Sequence, residues 1–188
     1  MNKPFVFAKP ELLFALAILL LLLPLQWVFA WFGAVAFHEA CHYWALRLCG
    51  NPIYGIKLTL SGAYIETEEL SRGKGCICAL AGPLGGFLLL LFARWLPRMA
   101  VCALFQSAYN LLPIFPLDGG RALRCALGAT TAGEWACLIL EWCVLLAIAV
   151  FGIYGCIFLK LGIMPLIFAG ILFFKAKIPC KLRPLRLQ

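Results

Sequence analysis

Charge is scarce in this sequence: Asp, Glu, Lys and Arg make up only 13% of its 188 residues, whereas 64% are hydrophobic. A soluble globular domain is about one quarter charged and about half apolar. A soluble fold of this composition would expose large apolar patches and aggregate. A disordered, collagen-like or coiled-coil chain would need more charge, a glycine period or heptads. The composition excludes these classes and predicts a membrane-embedded protein.

Acidic residues are fewer than basic ones, 8 against 16, which gives a net charge of +8. The basic residues lie at the ends of apolar runs and in a C-terminal tail, the pattern of topology determinants and not of a nucleic-acid groove. We therefore expect no nucleic-acid partner. The 10 cysteines include no CxxC pair, so neither a disulfide framework nor a thiolate zinc cage is predicted.

The apolar runs are long enough for about six transmembrane helices, since each needs about 20 residues to cross the hydrocarbon. We place them at about 11–26, 28–48, 76–96, 99–117, 135–157 and 161–174. Residues 58–67, in the one substantial polar loop, contain β-formers and could form a membrane-associated strand that pairs with an extended substrate by edge addition. An ordinary loop hairpin is the alternative. The predicted fold class is an all-α polytopic membrane protein with a β-hairpin between spans two and three.

We expect one membrane-embedded domain over residues 1–188, with a core at about 9–174 and a basic cytoplasmic tail at 175–188. With the termini inside the cell, thirteen of the 16 Lys and Arg residues fall on the cytoplasmic side and three outside. The positive-inside rule therefore predicts a multi-pass cell-membrane protein with both termini in the cytoplasm.

Span two contains an HExxH sequence, His38-Glu39-Ala40-Cys41-His42, and these are the only 2 histidines of the chain. Positions i and i+4 of a helix share a face, so the two imidazoles can bind one Zn²⁺ while Glu39 approaches its open position. Ionisable groups inside an apolar span are costly and indicate a functional site. The pattern predicts a metal centre in the membrane.

A catalytic zinc ion needs a third protein ligand, and with no third histidine it must be a carboxylate or a thiolate. Asp118 is the strongest candidate, because it ends the otherwise uncharged fourth span. Pro113 and Pro116 prevent a regular helix there, and the glycines after Asp118 permit close backbone approach. The alternative is that Asp118 caps a helix or pairs with Arg121.

Other candidates are weaker. Glu141 lies inside span five, where Arg121 or Arg124 could pair with it. Cys41 lies within the HExxH sequence, but a thiolate there would crowd the substrate, so we interpret it as a packing residue. A solvated charge run is the better interpretation of three acids in the polar loop, namely Glu66, Glu68 and Glu69.

Four segments together resemble the site-2 protease family of intramembrane zinc metalloproteases. They are HEACH at 38–42, SGAYIE at 61–66, AGPL at 81–84 and NLLPIFPLDGG at 110–120. The closest likeness is to the sporulation type that processes a membrane-associated pro-sigma-K factor. That type carries a nucleotide-sensing CBS domain after its last span, and we expect none here.

The resemblance implies that His38, His42 and Asp118 are zinc ligands, that Glu39 is the catalytic base, and that Asn110 is an active-site polar residue. It also implies a membrane-protein substrate in the lipid bilayer, together with a regulatory membrane partner as a further expectation. Residues that bind the substrate stay unknown. A metal transporter and a catalytically inactive scaffold of the same fold are the alternatives, although no polar path crosses several spans and the ligand set is intact.

Overall fold

The computed structural model describes residues 6–8, 24–59, 62–68, 70–128, 130–158, 160 and 162–176. The chain divides into two compact units, of which the first ends at Asn110 and the second begins at Leu111. In chain order the elements are β1 (Val6–Ala8), α1 (Leu25–Leu48), β2 (Ile53–Thr59), β3 (Gly62–Thr67), α2 (Arg72–Leu88), a 3₁₀ turn (Leu89–Phe92), α3 (Pro97–Asn110), α4 (Asp118–Leu127), α5 (Thr131–Ile157) and α6 (Met164–Ala176).

The first unit contains a three-helix bundle in which α1 packs against both α2 and α3, and α2 packs against α3. Its core includes Ala34, Leu89 and Ala103, which are buried, one each from α1, the 3₁₀ turn and α3. A small sheet of order β1-β2-β3 belongs to the same unit, with β1 parallel to β2 and β2 antiparallel to β3. Membrane association of this sheet stays a prediction.

Small residues let the helices of this bundle approach closely. A Cβ atom added at Gly85 of α2 would lie 2.9 Å from the Cβ of Cys41 in α1, and one added at Gly86 would meet the hydroxyl of Ser107 in α3. Both glycines are buried. Larger side chains at these positions would therefore strain the contacts between the helices, and small residues of this kind are usual where helices pack within membranes.

The second unit contains α4, α5 and α6, with α5 packed against the helices on either side of it in sequence. Helix α5 begins after Thr130, whose hydroxyl oxygen accepts a hydrogen bond from the Gly133 N–H at 3.0 Å and so caps the helix. Many large apolar side chains of α5 and α6 are exposed. Such surfaces suit a lipid environment and are rare on soluble proteins.

The helices can be compared with the predicted spans. Helix α1 covers the second, whereas the first lies mostly outside the described residues. Two described helical stretches, Arg72–Phe92 and Thr131–Ile157, are long and apolar enough to cross a membrane, and Pro165–Phe174 is a shorter apolar helix. Six spans and a single domain therefore stay predictions.

The fourth predicted span is shorter than expected. Helix α3 ends at Asn110, before the predicted end near residue 117, and a separate short helix, α4, follows. The reason is that Pro113 and Pro116 lack the N–H group a helix needs and disfavour helical geometry in the residues before them. Asp118 consequently begins a new helix, where its negative charge suits the positive end of the helix dipole.

Candidate metal centre

The two histidines of α1 meet on one face of the helix, as their spacing of four residues requires. Their Nε2 atoms lie 3.2 Å apart, and their ring planes are inclined by 80°. Two imidazole nitrogens bound to one tetrahedral zinc ion at about 2.0–2.1 Å would lie about 3.3 Å apart. The two imidazoles therefore fit a shared zinc ion without rearrangement. His38 is buried, with 2% of its surface exposed.

The other nitrogen of His42 is bound by the backbone of a neighbouring helix. Its Nδ1–H donates a hydrogen bond to the carbonyl oxygen of Cys78 in α2 at 2.7 Å. Because Nδ1 carries the proton in this arrangement, the lone pair of Nε2 faces the other histidine. A carbonyl partner of this kind fixes the tautomer and orientation of a metal-binding imidazole.

Gly82 of α2 faces the same two nitrogens. A Cβ atom added there would lie 2.7 Å from Nε2 of His38 and closer still to Nε2 of His42. Any side chain at this position would therefore collide with both imidazoles at their Nε2 atoms. The sequence contains Gly82 in the quoted AGPL segment, but the reason for a glycine is visible only once α2 is packed against α1.

Asn110, the last residue of α3, brings a carboxamide to the same place. Its Nδ2 lies 3.3 Å from Nε2 of His38, although 72 positions separate the two residues in sequence. Glu39 is half-buried on α1 beside His38. The first unit thus brings together both histidines and Asn110, with Glu39 adjacent in the same helix.

Asp118 is the first residue of α4 in the second unit and is buried, with 8% of its surface exposed. The loop before it folds tightly over the first turn of α4. A Cβ atom added at Gly120 would lie 2.5 Å from the carbonyl oxygen of Ile114, and one added at Gly119 would meet the carbonyl oxygen of Leu111. The paired glycines therefore allow the loop and the helix to form one close-packed structure around Asp118.

The remaining sequence candidates lie elsewhere. Glu68 is exposed and accepts a hydrogen bond from the Tyr54 hydroxyl at 2.5 Å, whereas Glu69 and the side chain of Glu66 are outside the described residues. Cys41 packs against Gly85. Glu141 is buried and pairs with Arg124.

Two features of the structure, one in the site and one outside it, could not be predicted from the sequence. The carbonyl of Cys78 belongs to the backbone and has no sequence signature. The choice between Arg121 and Arg124 as the partner of Glu141 depends on how α4 faces α5, which the short amphipathic segment alone does not fix.

The paired imidazoles have the arrangement expected of an HExxH metal site, and two described helical stretches have membrane-spanning length. No protein-family model matches the chain. A curated zinc metalloprotease of Methanocaldococcus jannaschii is 28% identical over 110 residues, which cover 51% of this chain and 32% of that relative. The chain thus spans about a third of the length of the curated relative it matches.

The solved structure of a site-2 protease from Methanocaldococcus jannaschii matches with a TM-score of 0.63 and 20% sequence identity. The match covers 93% of this chain and 88% of that chain. Both comparisons confirm the resemblance to the site-2 protease family. The sporulation subtype and the expected lack of a CBS domain stay predictions.

Proposed function

We propose that this protein is an intramembrane zinc metalloprotease that hydrolyses peptide bonds in or near the transmembrane segments of membrane-associated substrates. The observation that carries the proposal is the geometry of the HExxH helix, in which two Nε2 atoms lie 3.2 Å apart. One of the two imidazoles is held in the ligand tautomer by the Cys78 carbonyl. The names of the curated relative and the solved structure support the same chemistry.

The proposed ligands of the zinc ion are His38, His42 and Asp118. Each offers one ligand atom, an imidazole nitrogen from each histidine and a carboxylate oxygen from the aspartate. Two histidines and one carboxylate are a known ligand set for catalytic zinc, which leaves a fourth position open. Burial of His38 and Asp118 supports this assignment, because buried polar side chains require strong partners.

The bound metal would activate water and polarise the substrate carbonyl. Glu39 accepts a proton from the attacking water as the new carbon–oxygen bond forms. It then delivers that proton to the nitrogen of the leaving amine as the carbon–nitrogen bond breaks. The products are a carboxylic acid and an amine, and Glu39 returns to its starting state.

Asn110 is the second proposed catalytic residue. Its amide lies beside Nε2 of His38, so it is close enough to the reacting centre to hydrogen-bond the substrate carbonyl or the oxyanion that develops from it. A fixed amide donor at such a position stabilises the transition state more than the ground state.

A transmembrane substrate must unwind before cleavage, because the carbonyls of a helix are hydrogen-bonded and shielded. Among the described strands, β3 pairs with β2 alone and so forms an edge of the sheet. We propose that an extended stretch of substrate adds to this edge through backbone hydrogen bonds. We propose in addition that a partner protein in the membrane regulates the cleavage.

The protein is proposed to be a multi-pass cell-membrane protein with both termini in the cytoplasm. The support is the distribution of its basic residues, thirteen of 16 on the proposed inner side. Cleavage should then fall in the cytoplasmic half of a substrate span or just outside it. Reporter fusions at Gln188 and mass spectrometry of the fragments test this, and an external C-terminus or an outer-leaflet cut would contradict it.

The central experiment measures cleavage of co-expressed membrane substrates by the wild-type protein and by Glu39→Gln, with Glu134→Gln as the matched control. Glu134 is an exposed acid in the first turn of α5. We expect Glu39→Gln to abolish cleavage while zinc is retained, since the base is not a ligand. The control should cleave normally. Zinc binding by a wild-type protein that cleaves no substrate would favour a metal transporter or an inactive scaffold.

A further inference from the structure

A largely buried ion pair joins two helices of the second unit. Arg124 of α4 donates a hydrogen bond from Nη2 to Oε2 of Glu141 in α5 at 3.0 Å, and the two side chains are only 20% and 7% exposed. Taking two charges out of water costs several kcal/mol per ion, so a buried pair is a poor means of adding stability. A charged pair in so apolar a helix therefore calls for a functional explanation.

The same guanidinium makes a second contact. The Cζ atom of Arg124 lies 4.5 Å from the centroid of the Phe115 ring, within the range of a cation–π interaction. The planar guanidinium can stack on a ring while its edge donates to a carboxylate, which a lysine ammonium cannot do. Arg124 therefore ties α5 to the loop that precedes α4.

That loop is closely coupled to the first turn of α4. Phe115 lies three residues before Asp118, and the Leu117 N–H donates to the Ile114 carbonyl at 2.8 Å. A Cβ atom at Gly120 would lie 2.6 Å from the nitrogen of Phe115. The backbone of Phe115 thus packs directly on the first turn of α4, the turn that carries the Asp118 carboxylate.

We propose that Glu141 and Arg124 are positioning residues that hold the Asp118 carboxylate in the orientation needed for metal binding. Glu141 acts through Arg124 and Phe115 and touches neither metal nor substrate. This inference rests on the proposed function, in which Asp118 is the third zinc ligand. It assigns a role to Glu141, the buried acid of α5, which takes no part in the proposed chemistry of the HExxH residues.

The test compares zinc affinity in two backgrounds in the full-length protein in detergent. Glu141→Gln should weaken zinc binding about 10-fold in the wild-type background, as expected for residues that orient a ligand. In the Asp118→Asn background the same substitution should change affinity less than about twofold, because effects that act through one group are not additive. Glu134→Gln, the exposed acid of the same helix, is the control and should leave affinity unchanged in both.

A merely structural role would give a different pattern. Equal loss of zinc affinity in both backgrounds, or no loss in either, would overturn the inference. Failure of the wild-type protein to bind zinc would instead contradict the proposed function. Cobalt substitution adds a spectroscopic check: the visible spectrum of the Glu141→Gln protein should shift toward that of Asp118→Asn, and an unchanged spectrum would speak against positioning.

A second variant pair keeps the inference testable if Glu141→Gln does not fold. Phe115→Leu removes the aromatic face but keeps an apolar side chain, whereas Phe115→Tyr keeps the face. We expect about threefold weaker zinc binding for Phe115→Leu and wild-type affinity for Phe115→Tyr, in line with the strength of a cation–π contact. Equal affinities of the two variants would overturn the proposed route from Glu141 to Asp118.

Discussion

The stretch Arg72–Phe92 and helix α5 have similar hydropathy but are packed very differently. Their most apolar windows have mean hydropathies of 2.1 and 2.5, yet 44% of the first window is buried and only 22% of the second. The first stretch presents glycines to its neighbours, whereas α5 exposes large side chains such as Trp142 and Phe151. Hydropathy thus identifies both as membrane-length helical stretches but does not distinguish the stretch that packs beside the histidines from a helix with a lipid-type surface.

The largest effect is expected in α2, the helix beside the histidines. Gly82→Ala places a methyl group against both histidine Nε2 atoms, so zinc affinity should fall about 100-fold or more, the upper range for groups around a metal ligand. The matched control is Gly73→Ala in the same helix, where an added Cβ has no atom within 4 Å. Zinc titration of the purified proteins decides the result, and similar affinities for the two variants would refute the close packing.

Two adjacent leucines test the exposed face of α5. Leu145 is 5% exposed and Leu146 is 67% exposed. Leu145→Ala should lower the free energy of unfolding by about 2–5 kcal/mol, because it leaves a cavity. Leu146→Ala should lower it by less than about 1 kcal/mol, since an exposed side chain meets lipid or detergent before and after unfolding. Denaturant unfolding in micelles measures both, and equal losses would show that the exposed face of α5 is packed.

A smaller effect is expected at the contact between α2 and α3. Gly86→Ala drives a methyl group into the Ser107 hydroxyl and should cost about 1–3 kcal/mol of stability through overpacking. Adding Ser107→Gly should restore part of this loss, because residues in contact are energetically coupled.

The control for Gly86→Ala is Gly170→Ala in α6, where an added Cβ has no atom within 4 Å. That substitution should be neutral or stabilise by up to about 1 kcal/mol, since alanine loses less conformational freedom than glycine in a helix. Thermal unfolding of the three variants measures the difference. A loss at Gly170 as large as at Gly86 would contradict the distinction between the helices.

The smallest effect concerns the sheet. The hydrogen bond to Glu68 raises the pKa of the exposed Tyr54 above its ordinary value, with smaller contributions from burial and from the carboxylate charge. Glu68→Ala should lower this pKa toward about 10. Ultraviolet titration, with Tyr54→Phe as the reference, measures it, and an unchanged pKa would contradict the hydrogen bond.

The sign of the accompanying pH dependence follows from the raised pKa of Tyr54. The folded protein favours the neutral phenol more than the unfolded chain does. The contribution to stability is therefore complete below the unfolded pKa of about 10 and is lost as the pH rises through the folded pKa.

Local patterns predicted the parts of the molecule that depend on local chemistry. The spacing of His38 and His42 predicted their shared helix face, and Pro113 and Pro116 predicted the break after Asn110, although its position was wrong by several residues. The helix that begins at Asp118 escaped prediction because it is short and polar, so it resembles a loop more than a span.

Contacts between residues far apart in the chain could not be predicted from the sequence, for a physical reason. The parallel pairing of β1 with β2 joins segments about 50 positions apart, and no local pattern determines which strand finds which. From the sequence, either Arg121 or Arg124 could be the ion-pair partner of Glu141. Only the packing of α4 against α5 shows that the partner is Arg124. In the same way, the histidine motif does not reveal that Asn110 reaches His38.

The hydrogen bond from His42 to the carbonyl of Cys78 has a consequence for genetics. The acceptor is an amide oxygen of the main chain, which all twenty amino acids share, so replacing the Cys78 side chain leaves it in place. A mutational scan of α2 would therefore report on the packing of the buried Cys78 side chain and not on the carbonyl that orients a proposed ligand. Replacing the amide that contains this carbonyl by an ester, through chemical synthesis, would weaken the acceptor. No substitution of one amino acid by another can make that change.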